Sequence, residues 1–354
     1  MVLMALDHVR VYSAVPAGGP EPAIFFTRWV THFCAPAFLF LAGSSAWLRA
    51  QQKPGLSRWL FTRGLLLVAL ELVAMRFFWT FNSDVRHYLL AGVLWVIGWC
   101  FVCMALLVRL PRPAVGLFGL AIVLFHNAAA PWLFQAGPLL YGIGVIGPLA
   151  VLYSLIPWLG VMAMGYGFAP YLANRRVTLL TGAAAVALFV LLRATDTYGD
   201  PRLFRVGSSS ALLRFLNTTK YPASLQFLLM TLGPLLLLVP WAERAQGRLA
   251  EALRVFGRVP LFFYVLHIPL AHLLALAVSA ARGQPLGWLF ANHPMSPGPA
   301  PEGFQWPLWL LYAVTALLVA LLYPMCTWVQ KKRKYPSSAT ASPMVPSATP
   351  AQSR

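Results

Sequence analysis

Long apolar runs recur along almost the whole of this chain, and they constrain the fold more than any other feature. Of the 354 residues, 59% are hydrophobic and only 10% are charged, whereas about a quarter of the residues are charged in a typical soluble domain. Several runs reach the roughly 20 residues that a helix needs to cross a bilayer. The alternating pattern of a membrane barrel is absent from the sequence. The sequence therefore predicts an all-α polytopic membrane protein.

Loop-forming residues divide the apolar runs into about ten predicted transmembrane helices. The first covers residues 1–14, which is too short to cross the membrane, so it is either truncated at its N-terminus or genuinely half-length. A Gly-rich stretch at 137–148 predicts a re-entrant or interfacial segment. We predict one transmembrane domain over 1–329 and a disordered cytoplasmic tail over 330–354, which is rich in Ser, Pro and Ala. The other nine helices are predicted at about 24–48, 59–81, 88–109, 114–134, 149–171, 177–194, 221–241, 259–281 and 306–329.

The net charge of +18 does not indicate nucleic-acid binding. The basic residues stand mostly in short loops between apolar runs, and such loops lie on the cytoplasmic side of a membrane. The basic tract at 331–334 therefore predicts a cytoplasmic C-terminus. Ten spans then place the N-terminus on the same side.

Asp7, His8 and Arg10 form the most informative polar group of the sequence. An ionisable residue within a membrane helix costs roughly 2.5–3.5 kcal/mol on insertion scales, so it usually has a partner and a role. Asp7 and His8 are neighbours whose side chains point apart on a helix, and we expect Asp7 to pair with Arg10 one turn on. A histidine exchanges its proton near neutral pH. Two interpretations stay open: the polar end of a helix, or an acid/base centre that faces a polar cavity.

The predicted topology collects further polar residues in the outer half of the membrane. His32 begins the second helix from that side and is either a second candidate base or a structural histidine. The outer polar vestibule predicts a binding site for a polar substrate. Its remaining members, which we expect to contact the substrate together with Arg10, are Asp84, Arg86, His126, Asn127 and Lys220.

Two other features favour packing over chemistry. The run from Gly43 to Ser45 is small and polar, which is more typical of close helix packing than of a ligand channel. His267 and His272 are five residues apart and do not share a helix face. The sequence therefore predicts no metal site.

The chain resembles a bacterial membrane family related to the catalytic domain of heparan-alpha-glucosaminide N-acetyltransferase. Four stretches carry the resemblance: MVLMALDHVR, FFTRWVTHFCAPAFLFLAGSSAWL, LNTTKYPASLQFLLMTLGP and FGRVPLFFYVLHIPLAHLLA. It extends over nearly the whole chain apart from the tail. It implies a multi-pass acyltransferase of the inner membrane. Such an enzyme moves an acyl group, most commonly acetyl, from cytosolic acyl-CoA to an amine or hydroxyl of a sugar-type acceptor on the outer face.

The resemblance also implies a catalytic position. A polar residue of the first helix, commonly His, lies at the reaction centre of related acyltransferases, and His8 matches it, with Asp7 beside it. The lysosomal member has Asn there and carries its catalytic His in the following loop. Residues 14–26 contain no His here, so the role stays divided between His8 and His32, with His8 preferred. Asn127 is a candidate for stabilising the oxyanion.

Acyl-CoA is the implied co-substrate, without a metal. Its phosphates suit arginines of the inner loops, such as Arg63 and Arg258, because the planar guanidinium recognises phosphate well. The alternative function is a multi-pass transporter for a small polar or anionic solute, and a non-catalytic scaffold is a third. Either way the partners include the lipid bilayer and exclude nucleic acid, and a homo-oligomer is left open.

Overall fold

The computed structural model describes residues 1–19, 21–86, 88–203, 209–291 and 299–332. The predicted tail lies outside these residues, apart from 330–332, which are helical. Single turns of 3-10 helix occupy Val30–Phe33 and Ala169–Tyr171, and a π-helical segment, Glu71–Met75, joins the fourth and fifth helices. The helices in chain order are α1 (Val2–Tyr12), α2 (Pro22–Trp29), α3 (Cys34–Gln52), α4 (Leu56–Leu70), α5 (Arg76–Thr80), α6 (Val93–Leu107), α7 (Arg112–Phe125), α8 (Ala130–Gln135), α9 (Trp158–Phe168), α10 (Arg175–Thr195), α11 (Ala211–Leu216), α12 (Leu225–Arg244), α13 (Arg248–Arg258), α14 (Pro260–Ala281), α15 (Gly287–Ala291) and α16 (Leu308–Lys332).

Five helical segments of the described ranges are long and apolar enough to cross a membrane. They are Pro22–Gln52, α10, α12, α14 and α16. The helices α6 and α7 are apolar but shorter, and α4 continues through the π-helical segment into α5. These segments confirm the predicted all-α membrane protein. The count of ten spans stays a prediction.

The helices pack into two groups that meet around α1. In the first group α3 and α7 pack against α9, α4 packs against α6, and α10 packs against α12. In the second group α1, α14 and α16 pack against one another. Each group has its own cluster of buried apolar side chains. The short helix α1 thus stands at the boundary, where its polar residues can face both groups.

A small three-stranded sheet replaces helix where the sequence predicts the start of the sixth span. Its strands are β1 (Leu89–Ala91), β2 (Gly144–Ile146) and β3 (Leu149–Val151), and β3 lies between a parallel β1 and an antiparallel β2. The predicted helix at 149–171 therefore begins only at Trp158, and the predicted helix at 114–134 ends at Phe125. Strand pairing lets this non-helical backbone satisfy its N–H and C=O groups within the protein.

Close packing between α3 and α9 explains the small residues of α3. A Cβ atom on Gly43 would lie 1.9 Å from the backbone oxygen of Met162, and one on Gly165 would lie 2.1 Å from the backbone oxygen of Phe40. The Ser44 hydroxyl donates to the backbone oxygens of Phe40 and Gly165, at 3.0 Å each. Gly43 and Ser44 therefore serve helix packing, as predicted, whereas Ser45, the third residue of the run, lines a cavity.

We expect Gly43→Ala to lower the free energy of unfolding by about 2 kcal/mol, because the added methyl group forces the two backbones apart. The matched control is Gly257→Ala in α13, where a Cβ atom would meet nothing within 4 Å. That change should raise stability slightly, since Ala favours a helix over Gly. Apparent melting temperatures in detergent measure both. Equal melting temperatures for the two variants would contradict the close approach of α3 and α9.

Candidate functional site

A polar cavity of about 150 Å³ lies where the two helix groups meet. Helix α1 contributes Asp7, His8 and Arg10 to its wall. The predicted group on α1 therefore faces a cavity, as the second of the two interpretations requires. The other charged, hydroxyl-bearing or aromatic side chains of the wall are Arg28, Thr31, Phe38, Glu71, Trp79, Tyr153, Lys220, Tyr221 and Tyr264.

Asp7 forms an ion pair with Arg10 along α1. The distance from Asp7 Oδ1 to Arg10 Nη2 is 2.9 Å, and the two side chains are 19% and 9% exposed. The spacing of three residues places both on one helix face. This confirms the expected partner of Asp7. It also means that His8, which points away from Asp7, takes its contacts from another helix.

The partner of His8 is His267 on α14. The Nδ1 atom of His8 lies 2.5 Å from the Nε2 atom of His267. The edge of the Trp79 ring also contacts the His8 ring, with centroids 4.9 Å apart at 73°. Two helices therefore fix the plane of the His8 ring. Its Nε2 atom makes no hydrogen bond to the described residues, which leaves that nitrogen for a molecule in the cavity.

Lys220 brings a nearly buried positive charge to the same cavity. Its side chain is 8% exposed, and Nζ lies 5.1 Å from the centroid of the Tyr221 ring. No carboxylate of the described ranges forms an ion pair with it. Asp200 fixes this loop by accepting hydrogen bonds from the Thr219 backbone N–H, the Thr219 hydroxyl and the Ser224 hydroxyl. A rigid, desolvated cation suits the binding of developing negative charge.

Glu71 and Tyr153 complete the polar wall. The Glu71 carboxylate accepts a hydrogen bond from the Leu94 N–H at 3.0 Å and sits at the N-terminus of α6, where the helix dipole favours an anion. Its other oxygen, Oε1, has no hydrogen-bond partner among the described residues. The Tyr153 hydroxyl lies 3.5 Å from the Tyr221 hydroxyl. A phenol is protonated at neutral pH and can donate a hydrogen bond.

His32, the second predicted base, does not belong to the cavity wall. Its ring is buried, meets the Phe227 ring edge-on with centroids 5.3 Å apart, and neither nitrogen has a partner in the described part of the chain. Its neighbours Thr31 and Cys34 do line the cavity. His32 thus lies behind the wall rather than in it.

The other predicted substrate-binding residues serve the surrounding scaffold. His126 Nε2 lies 3.0 Å from the Ala223 backbone oxygen, and Asn127 Oδ1 accepts from the Leu225 N–H at 2.8 Å. Both residues thus tie α7 to the start of α12. Asp84 and Arg86 lie in an exposed loop, where the Asp84 carboxylate accepts from the Arg86 N–H at 2.8 Å. None of these four residues lines the polar cavity.

A second, mostly apolar cavity of about 980 Å³ adjoins the first. Arg63 lines it, and so do Gly257 and Pro260, which flank Arg258 in the chain. The two cavities share wall residues, which places them side by side. These shared residues are Cys34, Phe38, Val93 and Tyr264.

Sequence reasoning did not assign His267, Glu71 and Tyr153 to the site. His267 was compared only with His272, five residues on, whereas its partner stands 259 positions away. Glu71 carried a signal, since a carboxylate deep in an apolar run needs a partner. Its partner is the Leu94 N–H at the N-terminus of α6. The spacing of side chains in a sequence does not reveal a backbone partner of this kind.

Comparison with known proteins supplies a family. The model described as "Heparan-alpha-glucosaminide N-acetyltransferase, catalytic" matches residues 1–204, which include α1, Glu71 and Tyr153. His267 and Lys220 lie beyond the matched residues. No curated protein and no solved structure matches the chain.

The Asp7–Arg10 ion pair should contribute to the free energy of unfolding. We expect Asp7→Asn to lower the free energy of unfolding by about 2 kcal/mol, because it leaves a nearly buried guanidinium without its counter-charge; the partial exposure of Asp7 keeps the loss moderate. The double variant Asp7→Asn with Arg10→Met should recover most of that loss.

The control is the exposed pair of Glu251 and Arg254, whose side chains are 52% and 32% exposed. Glu251→Gln should change stability by less than about 0.5 kcal/mol. Denaturation in detergent reports all three variants. A loss in the double variant as large as that in Asp7→Asn alone would show that the ion pair of Asp7 and Arg10 does not contribute as expected.

Proposed function

The chain belongs to the heparan-alpha-glucosaminide N-acetyltransferase catalytic family, and on that premise we propose that it moves an acetyl group across the membrane. The donor is cytosolic acetyl-CoA, and the acceptor is an amine or hydroxyl of a sugar-type molecule on the outer side. Membership of the family gives a membrane acetyltransferase; the donor, the acceptor and the orientation are our proposal. The observation that carries it is His8, which lines a cavity beside the buried Lys220 and whose Nε2 makes no hydrogen bond within the described part of the chain.

His8 is the proposed general base. Its Nε2 takes a proton from the acceptor as the amine or hydroxyl attacks the thioester carbonyl carbon. The tetrahedral intermediate carries a negative oxygen, and Lys220 stabilises it. When the C–S bond breaks, the carbonyl re-forms and the His8 imidazolium returns the proton to the departing thiolate. His32 stays the alternative base, because its neighbours line the same cavity.

The apolar cavity offers a route for the donor. Arg63 in its wall and Arg258 beside it would bind the phosphates of CoA. The shared wall at Phe38 and Tyr264 is where the thioester end would enter the polar cavity. The proposal assigns Arg10 to the acceptor, because its guanidinium reaches the same space as His8.

The proposed orientation rests on the basic residues at one end of the helices. Arg49 lies over the Trp59 ring with its Cζ atom 4.7 Å from the centroid, and Arg175 lies over the Trp241 ring at 5.3 Å. Lys332 stands over Trp328 at 4.1 Å. Tryptophans beside basic residues are typical of a membrane interface, and the basic excess is typical of the cytoplasmic one. We therefore propose a cytoplasmic C-terminus in the inner membrane.

A transporter remains the second candidate function. The observation that favours it is the interruption of a long apolar helix, between α4 and α5, by the π-helical segment that begins at Glu71. Irregular helices that line a polar cavity are typical of transporters. A transporter would move its solute without consuming acetyl-CoA, so the measurement below separates the two functions.

We expect purified protein to release CoA from radiolabelled acetyl-CoA only when an acceptor is present. The acceptor panel consists of amino sugars and polysaccharide fragments. His8→Ala should lower the turnover by about 100-fold or more, the usual contribution of a general base. His32→Ala is the parallel variant and should retain most of the activity. Melting temperatures establish that both variants fold.

Three results would change this assignment. Loss of activity in His32→Ala alone would identify His32 as the general base. Full activity in His8→Ala would remove the proposed mechanism. No turnover with any acceptor, combined with solute uptake in vesicles, would establish the transporter instead.

The orientation predicts which positions an impermeant thiol reagent reaches in intact cells. In a variant without native cysteines, Thr197→Cys in the loop after α10 should react, and Arg248→Cys at the start of α13 should react only after permeabilisation. Both positions are exposed, so a difference reports the side of the membrane. The reverse pattern would overturn the proposed orientation.

A further inference from the structure

His267 lies at the centre of the bundle without touching either cavity. It is fully buried in α14, and its ring nitrogens are both occupied. Nδ1 lies 2.7 Å from the Tyr264 backbone oxygen and 3.0 Å from that of Phe263, and Nε2 lies 2.5 Å from His8 Nδ1. A substrate in either cavity therefore does not contact this residue.

The two imidazole rings are arranged for an in-plane hydrogen bond. Their planes are inclined by only 22°, with centroids 4.8 Å apart. A nitrogen–nitrogen distance of 2.5 Å is shorter than the roughly 3.5 Å between stacked atoms. The rings therefore meet edge to edge through those two nitrogens, and one proton lies between them.

The backbone of α14 determines whether His8 Nδ1 or His267 Nε2 carries that proton. Carbonyl oxygens only accept hydrogen bonds, so the Nδ1 atom of His267 carries a proton. In the neutral ring the lone pair then stands on Nε2, opposite His8. His8 must therefore donate from Nδ1, which leaves the lone pair of His8 on Nε2, the nitrogen without a partner. One contact thus determines the tautomer of the candidate base.

The charged surroundings favour a neutral His267. The charged residues that line the cavity with His8 are Asp7 and Arg10 on α1, Arg28 on α2, Glu71 at the start of the π-helical segment and Lys220 in the loop before α12. Asp7 already pairs with Arg10, and Glu71 with the N-terminus of α6. The other ring neighbours of His267 are Phe263 and Tyr264. No carboxylate of the described residues contacts His267 to hold a second proton on it.

We propose that His267 is the positioning residue of the acetyl transfer: it accepts the Nδ1 proton of His8 and so holds Nε2 as the base that faces the acceptor. This inference rests on the proposed function of His8. It assigns to α14, outside the residues that the family model matches, a part in the reaction without any contact to substrate. A purely structural histidine at this position would affect stability but not the tautomer of His8.

Two substitutions of His267 distinguish its role as a hydrogen-bond acceptor for His8 from simple filling of space. His267→Gln can place an amide oxygen near the original Nε2 and accept from His8. His267→Leu has a similar size and accepts nothing. We expect His267→Leu to lower kcat by about 100-fold and to change the KM for acetyl-CoA by less than about threefold. His267→Gln should stay within about tenfold of wild type.

The matched control is His272→Leu. His272 is equally buried in the same helix, stacks between Tyr12 and Phe81, and does not contact His8. Its replacement should leave kcat within about threefold of wild type. Equal losses in His267→Leu and His267→Gln would overturn the proposal, as would a kcat of His267→Leu equal to that of the control.

A spectroscopic measurement tests the tautomer without turnover. Nitrogen-15 labelling of the histidines, with His8→Asn to assign the His8 signals by difference, distinguishes a protonated from an unprotonated ring nitrogen. We expect protonated Nδ1 and unprotonated Nε2 for His8 in wild type, and the loss of that preference in His267→Leu. The opposite tautomer in wild type would overturn the inference. If wild type transfers no acyl group, the proposed function fails, while the spectrum still decides the tautomer.

Discussion

The placement of charge on one short helix organises the centre of this protein. Helix α1 carries Asp7, His8 and Arg10 on less than two turns, and polar groups at membrane depth need partners inside the protein. Asp7 and Arg10 satisfy each other at 2.9 Å. His8 points away from Asp7, its neighbour in sequence, and contacts His267 on α14 instead. The two helix groups meet at this point, so the ion pair and the histidine pair together decide where the polar cavity opens.

The local part of this arrangement could be read from the sequence, and the tertiary part could not. The pairing of Asp7 with Arg10 follows from a spacing of three residues, and the packing role of Gly43 follows from its small neighbours. The partner of His8 stands 259 positions away, and no spacing rule connects two helices at that separation. The all-α membrane class of the fold was predictable because the length of the apolar runs alone indicates it. The sheet of β1, β2 and β3 was not, because its nine residues are as apolar as the flanking helices.

The predicted outer residues show why polar character alone does not identify a substrate site. His126 and Asn127 follow the end of α7 and are polar, yet their side chains form hydrogen bonds to the backbone of Ala223 and Leu225. A helix that begins inside the protein needs acceptors for its first N–H groups, and Asn127 meets that need for α12. Lys220, three residues before Ala223, faces the cavity because this scaffold fixes the loop. The sequence indicated the right region of the protein. It could not distinguish the residues that support the loop from the residues that line the cavity.

The volumes of the two cavities bear on what reacts here. The polar cavity of about 150 Å³ is much the smaller of the two, and the apolar cavity beside it measures about 980 Å³. Under the proposed function, the acceptor would present its amine or hydroxyl to the polar cavity, and the donor would occupy the apolar cavity beyond the shared residues Phe38 and Tyr264. Within the polar cavity, the contacts of His8 with His267 and Trp79 hold the imidazole ring in one orientation, so the proposed base would meet either substrate with the same nitrogen.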